Sequence, residues 1–165
     1  MAWYCLFCKA GQEQNVIRML QERGAKPLAP MAVYVRPGQN GKEQVRRRLL
    51  PGYVFFEQND PPDWAGIVRF SSVLKVLHYQ DETPELKSTD LDFVRWLQMN
   101  EGLIDISQVV KAGTKIAFVS GPLVGMEGQV LKVNKGRRVV QVAVGGEGHL
   151  IRTVWCSIEY VQEKR

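Results

Sequence analysis

The residues best suited to metal or redox chemistry are three cysteines and two histidines. Cys5 and Cys8 form a Cys-x-x-Cys step, a spacing typical of zinc and redox sites, but Cys156, His78 and His149 lie far away in the chain. A structural zinc site needs four ligands, and these residues lack the paired spacing of a ribbon or finger. We therefore expect no metal ion and no cofactor.

The segment WYCLFC (3–8) is typical of a strand, in which residues three apart point to opposite faces. Cys5 and Cys8 would then not converge on one ion, and we interpret the cysteines as small buried apolar side chains. Their odd number and the lack of a signal-peptide pattern argue against a disulfide framework. No apolar run approaches the ~20 residues of a membrane span, so we expect a cytoplasmic protein without membrane contact.

A second candidate is the glycine-rich stretch GPLVGMEGQVLKV (121–133). A phosphate-binding P-loop requires Gly-Lys-Ser/Thr followed by a helix. Here Gly128 is followed by Gln129 and Val130, and the alternating apolar run after them is typical of a strand. The stretch therefore predicts a tight turn and a bent strand of a small barrel.

Catalysis would require a nucleophile beside a base or a pair of carboxylates on one framework. The two histidines lie in different predicted domains, and no serine, cysteine or carboxylate pair follows a catalytic pattern. We therefore expect that the protein is not an enzyme.

The charge is distributed unevenly along the chain. Residues 1–106 contain 13 Lys or Arg and 13 Asp or Glu, a net charge of zero, whereas residues 107–165 contain 9 and 4, a net charge of +5. This asymmetry is typical of a chain whose C-terminal part binds nucleic acid. A solvated basic face is the alternative.

The elements that position these residues change type near residue 106. The first part alternates strand patterns with helix patterns, which predicts an α+β domain of antiparallel sheet and flanking helices over residues 1–106. The strand patterns are 3–8, 31–35, 53–57 and 73–79; the helix patterns are 11–24, 63–72 and 88–102; a hairpin pattern covers 36–48.

The last part contains short strand patterns separated by glycine-rich turns, which predicts a small all-β, SH3-like barrel over residues 107–165. A short linker is expected within residues 102–113. The strand patterns are 114–119, 127–134, 138–144, 149–154 and a piece around IEYV.

These motifs carry a family resemblance. VSGPLVGMEGQVLKVN resembles the KOW motif, and WYCLFCKAGQEQ, LAPM and LLPGYVFF resemble, in order, the N-terminal (NGN) domain of the NusG family of transcription elongation factors. The resemblance extends from Trp3 to about Val161. WYCLFCKAGQ with LAPM is more similar to specialised antiterminator paralogues such as RfaH and LoaP than to the general factor.

The resemblance implies that an exposed apolar pocket binds the clamp coiled coil of bacterial RNA polymerase. Strand alternation separates Tyr53 and Phe55 from Val54 and Phe56, and we predict that Tyr53 and Phe55 face outward. The alternative is that they are sheet core. The polymerase-binding residues that match are Trp3, Tyr4, Leu50, Pro51, Tyr53 and Phe55.

The predicted barrel offers positive charge, and the turn 134–138 would present three cations to the phosphates of a structured RNA. We therefore expect an RNA hairpin as a partner. Trp155 could add stacking, although a core position is more typical. The candidate nucleic-acid-binding residues are Lys111, Lys115, Lys132, Lys135, Arg137, Arg138, His149 and Arg152.

Non-template DNA is an alternative partner. In the RfaH-like branch, positions matching Lys9, Gln12 and Arg18 approach that strand, and the run 46–48 adds three arginines. The sequence has Met19, Ser71 and Ser72 where that branch has DNA-reading groups, so direct readout of DNA sequence is not expected. Residues 144–148 lack the apolar anchor of relatives that contact the ribosome or Rho, which predicts weak or no coupling to either.

The function expected from these features is operon-specific, processive antitermination by a monomer that binds polymerase and nascent RNA. One alternative is a general NusG-like factor that couples polymerase to Rho or the ribosome. Another is a ribosome-associated KOW protein that binds RNA.

Overall fold

A computed structural model describes residues 1–146 and 148–162. The N-terminal part has a four-stranded antiparallel sheet in the order β2-β5-β1-β6 and a second sheet in the order β4-β3-β7. Its strands are β1 Ala2–Cys8, β2 Lys26–Leu28, β3 Met31–Gly38, β4 Gly41–Arg48, β5 Tyr53–Gln58, β6 Val73–Val76 and β7 Leu103–Ile104.

The three helices of this part are α1 Glu13–Glu22, α2 Trp64–Arg69 and α3 Ser88–Met99. Gly24 follows the end of α1 with a φ of +82°, which a glycine adopts without strain. The carboxylate of Asp63 caps α2 by accepting the Gly66 N–H at 3.1 Å. The helix patterns of the sequence are thereby confirmed.

The central strands β1 and β5 bury both of their faces. On one face, Leu6, Leu20 and Phe56 belong to a core cluster with α1. On the other face, Phe55 and Phe93 belong to a cluster with α3. The predicted division of residues 53–56 between two faces is confirmed, because neighbouring strand residues point in opposite directions.

The C-terminal part is all β and follows the order β10-β11-β12-β8-β9. A 3₁₀ turn, Glu127–Gln129, precedes β10, and the Glu127 carboxylate accepts the Phe118 N–H at 3.0 Å, which joins β9 to the start of β10. The strands are β8 Ser107–Ala112, β9 Lys115–Ser120, β10 Val130–Asn134, β11 Val139–Ala143 and β12 Thr153–Tyr160.

The fold class is therefore the predicted one, an α+β part followed by a small β barrel, with three local differences. Residues 127–129, predicted as the start of a strand, form the 3₁₀ turn. The segment predicted to contain the linker includes β7 and β8. Residues 149–152 are not a strand, and the IEYV piece is the end of β12. The physical reason is that the N–H groups of Leu150 and Ile151 bond to a side chain of α3 instead of to a neighbouring strand.

The two parts share hydrogen bonds and a continuous apolar core cluster. The Tyr34 hydroxyl on β3 donates to the Trp155 carbonyl on β12 at 2.8 Å. The Trp96 indole N–H on α3 donates to the Pro122 carbonyl at 3.1 Å. The barrel is consequently packed against both α3 and β3.

The cysteines lie where strand alternation placed them. Cys5 and Cys8 are buried in different core clusters, and all three thiols are free. Burial raises the pKa of Cys156 to about 12, so this thiol is protonated near neutral pH. In the described part of the chain, no group of three histidine, cysteine or acidic side chains could hold a metal ion. None of the helices described there has the length and apolar character needed to cross a membrane.

Candidate binding surfaces

The structure divides the predicted polymerase-binding residues between two faces of the sheet. Trp3 and Phe55 are 7% and 0% exposed and belong to the cluster beneath α3. The prediction that Phe55 faces outward is therefore wrong, because α3 covers that face of β5. These two side chains now serve as core.

Tyr4 cannot share a surface with Trp3. It is the next residue of the same strand, so it points to the opposite face. There its ring lies 5.2 Å from the ring of Phe56 and 5.2 Å from that of Trp64. The grouping of Tyr4 with Trp3 is thus corrected by strand geometry.

The predicted polymerase-binding residues that remain accessible lie around the turn that precedes β5. We call Phe7, Leu50, Pro51 and Tyr53 the turn surface. Pro51 is exposed and the others are half-buried, and the Phe7 and Tyr53 rings lie 5.2 Å apart, edge to face. Phe7 is not among the residues predicted to bind polymerase, although alternation along β1 places it on the Trp3 face and opposite Tyr53.

A buried carboxylate and a glycine hold the turn surface in place. Glu13 is 3% exposed, and its Oε2 accepts the Gly52 N–H at 3.0 Å. Gly52 has a φ of +88°, and a Cβ at this position would lie 2.7 Å from the ring of Phe7. This contact explains why the chain needs glycine between Pro51 and Tyr53.

The candidate DNA-contacting residues in and before α1 are partly engaged within the protein. The Ser72 hydroxyl donates to Gln12 at 2.6 Å, so these two polar groups satisfy each other. A cavity beside α1 carries both signs of charge, and one of its cations, Arg23, pairs with Asp63 at 3.2 Å. The residues that line this cavity are Asn15, Arg18, Met19, Glu22, Arg23 and Phe70.

The arginine run 46–48 forms part of β4 and does not lie at the hairpin tip, which is at Gly38–Gly41. Arg46 and Arg47 are exposed and point to opposite faces of the hairpin. Arg48 is half-buried and donates to the Ala29 carbonyl at 3.0 Å. The three guanidinium groups therefore do not form one cluster.

The barrel cations occupy three locations. Lys111, Lys115, Lys135, Arg137 and Arg138 lie at the turns beyond the C-terminal end of β12, as the strand register places both hairpin turns there. Lys132 lies on the outer face of β10. His149 and Arg152 lie at the opposite end, before β12.

The turn 134–138 is built to a defined shape. Asn134 accepts the Arg137 N–H through its side chain at 3.0 Å, and the Arg138 carbonyl accepts the Ile158 N–H at 2.9 Å. Arg138 has a φ of +55°, an uncommon conformation for a residue with a side chain. Lys135 and Arg137 are exposed on this turn.

The structure separates Trp155 and His149, the two residues that the sequence suggested for stacking. Trp155 is 39% exposed, so it does not occupy the more typical core position and is accessible for stacking. His149 is half-buried and its Nδ1 accepts the Gly146 N–H at 2.8 Å, which ties the ring to its own loop. Glu147 of this loop lies outside the described residues.

The loop that precedes β12 is bound to α3 through Asp90. This carboxylate is 1% exposed and accepts the N–H groups of Leu150 at 3.0 Å and Ile151 at 3.2 Å. It also accepts the Tyr79 hydroxyl at 2.6 Å. The sequence signal for Asp90 was weak, because an acidic residue in the first turn of a helix is usually an exposed partner of the helix dipole.

Comparisons with known proteins identify similar sequences and a similar family model. The family model "Transcription termination factor nusG" matches residues 1–95. The transcription termination/antitermination protein NusG of Thermus thermophilus is 27% identical, with 86% of this chain and 88% of the relative covered. The protein of the same name from Treponema pallidum is 26% identical, with the same coverage.

A solved structure on domain interaction in Thermotoga maritima NusG covers 93% of this chain and 90% of that chain, with 21% identity and a TM-score of 0.49. The assignment depends on the family model, which matches more than half of the chain. The protein belongs to the NusG family of transcription termination and antitermination factors.

Proposed function

We propose that this protein is an operon-specific, processive antitermination factor of the RfaH and LoaP type, with residues 1–106 as its polymerase-binding domain and 107–165 as its KOW domain. Membership of the family supports a role in transcription. The observation that favours the specialised role is the basic turn 134–138, whose exposed Lys135 and Arg137 suit the phosphates of a structured RNA. The partners are bacterial RNA polymerase and a hairpin of the nascent transcript.

The turn surface is the proposed contact to polymerase. It combines two aromatic rings, a proline and a leucine, and Lys75 lies with its Nζ 5.9 Å from the Phe7 ring centroid at its edge. Partly exposed aromatic side chains are the usual energetic centres of protein interfaces. A rigid turn held by Glu13 keeps them in one arrangement before binding, which lowers the entropic cost of association.

We expect Tyr53→Ala to weaken binding to core RNA polymerase about tenfold, because the truncation removes an anchor ring from the turn surface. Fluorescence anisotropy of the labelled full chain measures the affinity. Tyr53→Phe keeps the ring and should bind like the wild type. Val68→Ala is the matched control, since Val68 is 51% exposed on α2 and lies outside the turn surface. Equal losses for Tyr53→Ala and Val68→Ala would contradict the assignment.

The basic turn is tested with the full chain and folded RNA hairpins. We expect Lys135→Ala with Arg137→Ala to weaken binding and to lower the salt-dependence slope by about 2, because each lost phosphate contact lowers it by about 1. The measurement is a mobility shift repeated at rising salt. Lys26→Ala with Lys42→Ala removes the same charge from exposed positions on β2 and β4. If this control loses as much affinity as the variant of the basic turn, the cations of that turn contribute only nonspecific charge.

A general elongation factor that couples polymerase to Rho or the ribosome is the second candidate, because both named relatives are NusG proteins. The loop 144–152 argues against the general factor. This loop has glycines in place of an apolar anchor, and Asp90 binds the end of the loop that precedes β12. A pull-down of Rho and the ribosome with the full chain distinguishes the two candidates. Recovery of either partner at near-stoichiometric amounts would support the general factor.

A further inference from the structure

An aromatic side chain and a cation share one row across the outer face of the barrel. In the strand register, Lys132 pairs with Gln141, and Gln141 pairs with Trp155. Directly opposed residues of antiparallel strands point to the same side. The flanking row, Val140 and Cys156, points inward and is fully buried, so the Trp155 row faces outward.

The exposed indole lies at the edge of the contact between the barrel and the hairpin of β3 and β4. The Tyr34 hydroxyl bonds to the Trp155 carbonyl at 2.8 Å and holds β12 against β3. Ser157 points the same way as Trp155 but is 3% exposed. Trp155 is therefore accessible while its backbone is fixed.

The hairpin face that contacts the barrel through Tyr34 also carries a cation. Arg47 pairs with Ala32 in the register, so it lies on the hairpin face that carries Tyr34. Burial raises the pKa of Tyr34 to about 12, and the nearby Arg47 charge acts in the opposite direction. Arg46 points to the other face of the same strand.

A nucleobase is the ligand that fits this combination. An exposed indole offers a flat apolar face, and every nucleobase has a π-face that stacks on such a ring. Lys132 on the barrel and Arg47 on the Tyr34 face of the hairpin suit phosphate groups, and the strand spacing places Lys132 about 10 Å from Trp155 across two intervals. The net charge of +5 on residues 107–165 favours an anionic partner.

We propose that Trp155, flanked by Lys132 of the barrel and Arg47 of the hairpin, is a stacking site for an unpaired base of a structured RNA. The inference rests on the proposed RNA-binding function and adds the part of the RNA that is read. A bulged or looped base reaches the indole, whereas a base inside a duplex is covered by its neighbours. The hairpin thereby takes part in RNA binding together with the barrel.

The test uses the full chain and two RNA duplexes of equal length, one fully paired with blunt ends and one with a single bulged 2-aminopurine. We expect the wild type to prefer the bulged RNA and to quench its fluorescence through stacking. Trp155→Ala should weaken binding to the bulged RNA about tenfold and abolish the quenching, with little change for the paired RNA. Trp155→Phe keeps an aromatic face and should retain most of the preference.

Two comparisons make the outcome decisive. Arg47→Ala should weaken binding to the bulged RNA about threefold, whereas Arg46→Ala, on the opposite hairpin face, should not. If Trp155→Ala leaves both affinities and the quenching unchanged while Lys135→Ala with Arg137→Ala lowers them, the stacking site is refuted and the basic turn retained. If the wild type binds neither RNA, the proposed function fails as well. Thermal unfolding confirms that each variant is folded.

Discussion

Asp90→Ala is expected to lower the free energy of unfolding by about 3 to 5 kcal/mol. The substitution removes one buried carboxylate that accepts three hydrogen bonds, from Tyr79, Leu150 and Ile151. The two backbone N–H groups would be left without their acceptor next to the core, and hydrogen bonds to charged groups are the more costly ones to lose. Urea unfolding monitored by tryptophan fluorescence measures the change.

The same variant is expected to release the loop that precedes β12. The carboxylate is the direct link between α3 and the amides of Leu150 and Ile151, so both amides should exchange their hydrogens faster. Asp92→Asn is the matched control, because Asp92 lies on the same helix and forms a surface pair with Arg95. Exposed pairs contribute little, so this control should change stability by less than about 1 kcal/mol. Equal effects at the two positions, or unchanged amide protection, would show that Asp90 does not hold the loop.

Gly121→Ala is expected to destabilise the chain by more than about 3 kcal/mol. Gly121 has a φ of +98°, where an alanine is strained by about 1 to 2 kcal/mol. Its Cβ would also lie 2.6 Å from the Cα of Ser107 and 2.9 Å from the Ile106 carbonyl oxygen. Backbone atoms do not move aside as a side-chain end does, so β8 would have to shift away from its place beside β12.

Gly125→Ala separates the two causes. Gly125 lies in the same glycine-rich stretch with a φ of +85°, but nothing lies within 4 Å of the position of its Cβ. We expect it to cost about 1 to 2 kcal/mol, the backbone strain alone. Thermal unfolding of both variants under one set of conditions provides the comparison. Similar losses for the two would mean that the close approach of Ser107 to Gly121 is unimportant.

The contrast between Gly121 and Gly125 also indicates the role of the glycine-rich stretch 121–133. Gly121 permits the chain to pass against the backbone that enters the barrel, where the Ser107 hydroxyl accepts the Leu123 N–H at 3.0 Å. A phosphate-binding loop would lead into a helix, whereas here a 3₁₀ turn and β10 follow. The stretch therefore has a structural role: it connects β9 to β10 and packs against the start of β8.

Periodicity in the sequence was enough to predict most elements. The alternation of YVFF separated Phe55 from Phe56, and the spacing of Val16 and Leu20 placed them on the buried side of α1. The two cysteines of the Cys-x-x-Cys step diverge for the same reason. These properties are local, since the direction of a side chain relative to its own strand or helix depends on backbone geometry alone.

The tertiary structure decided which faces are covered. Alternation could not tell that α3 buries Phe55, nor that Trp155 stays exposed, because both outcomes depend on elements far away in the chain. It also could not join Asp90 to Ile151, which are 61 residues apart. The sequence by itself determined the order of the elements and which residues of each element share a face. Packing between elements determined which side is core and which side is left to bind a partner, because burial depends on what lies opposite.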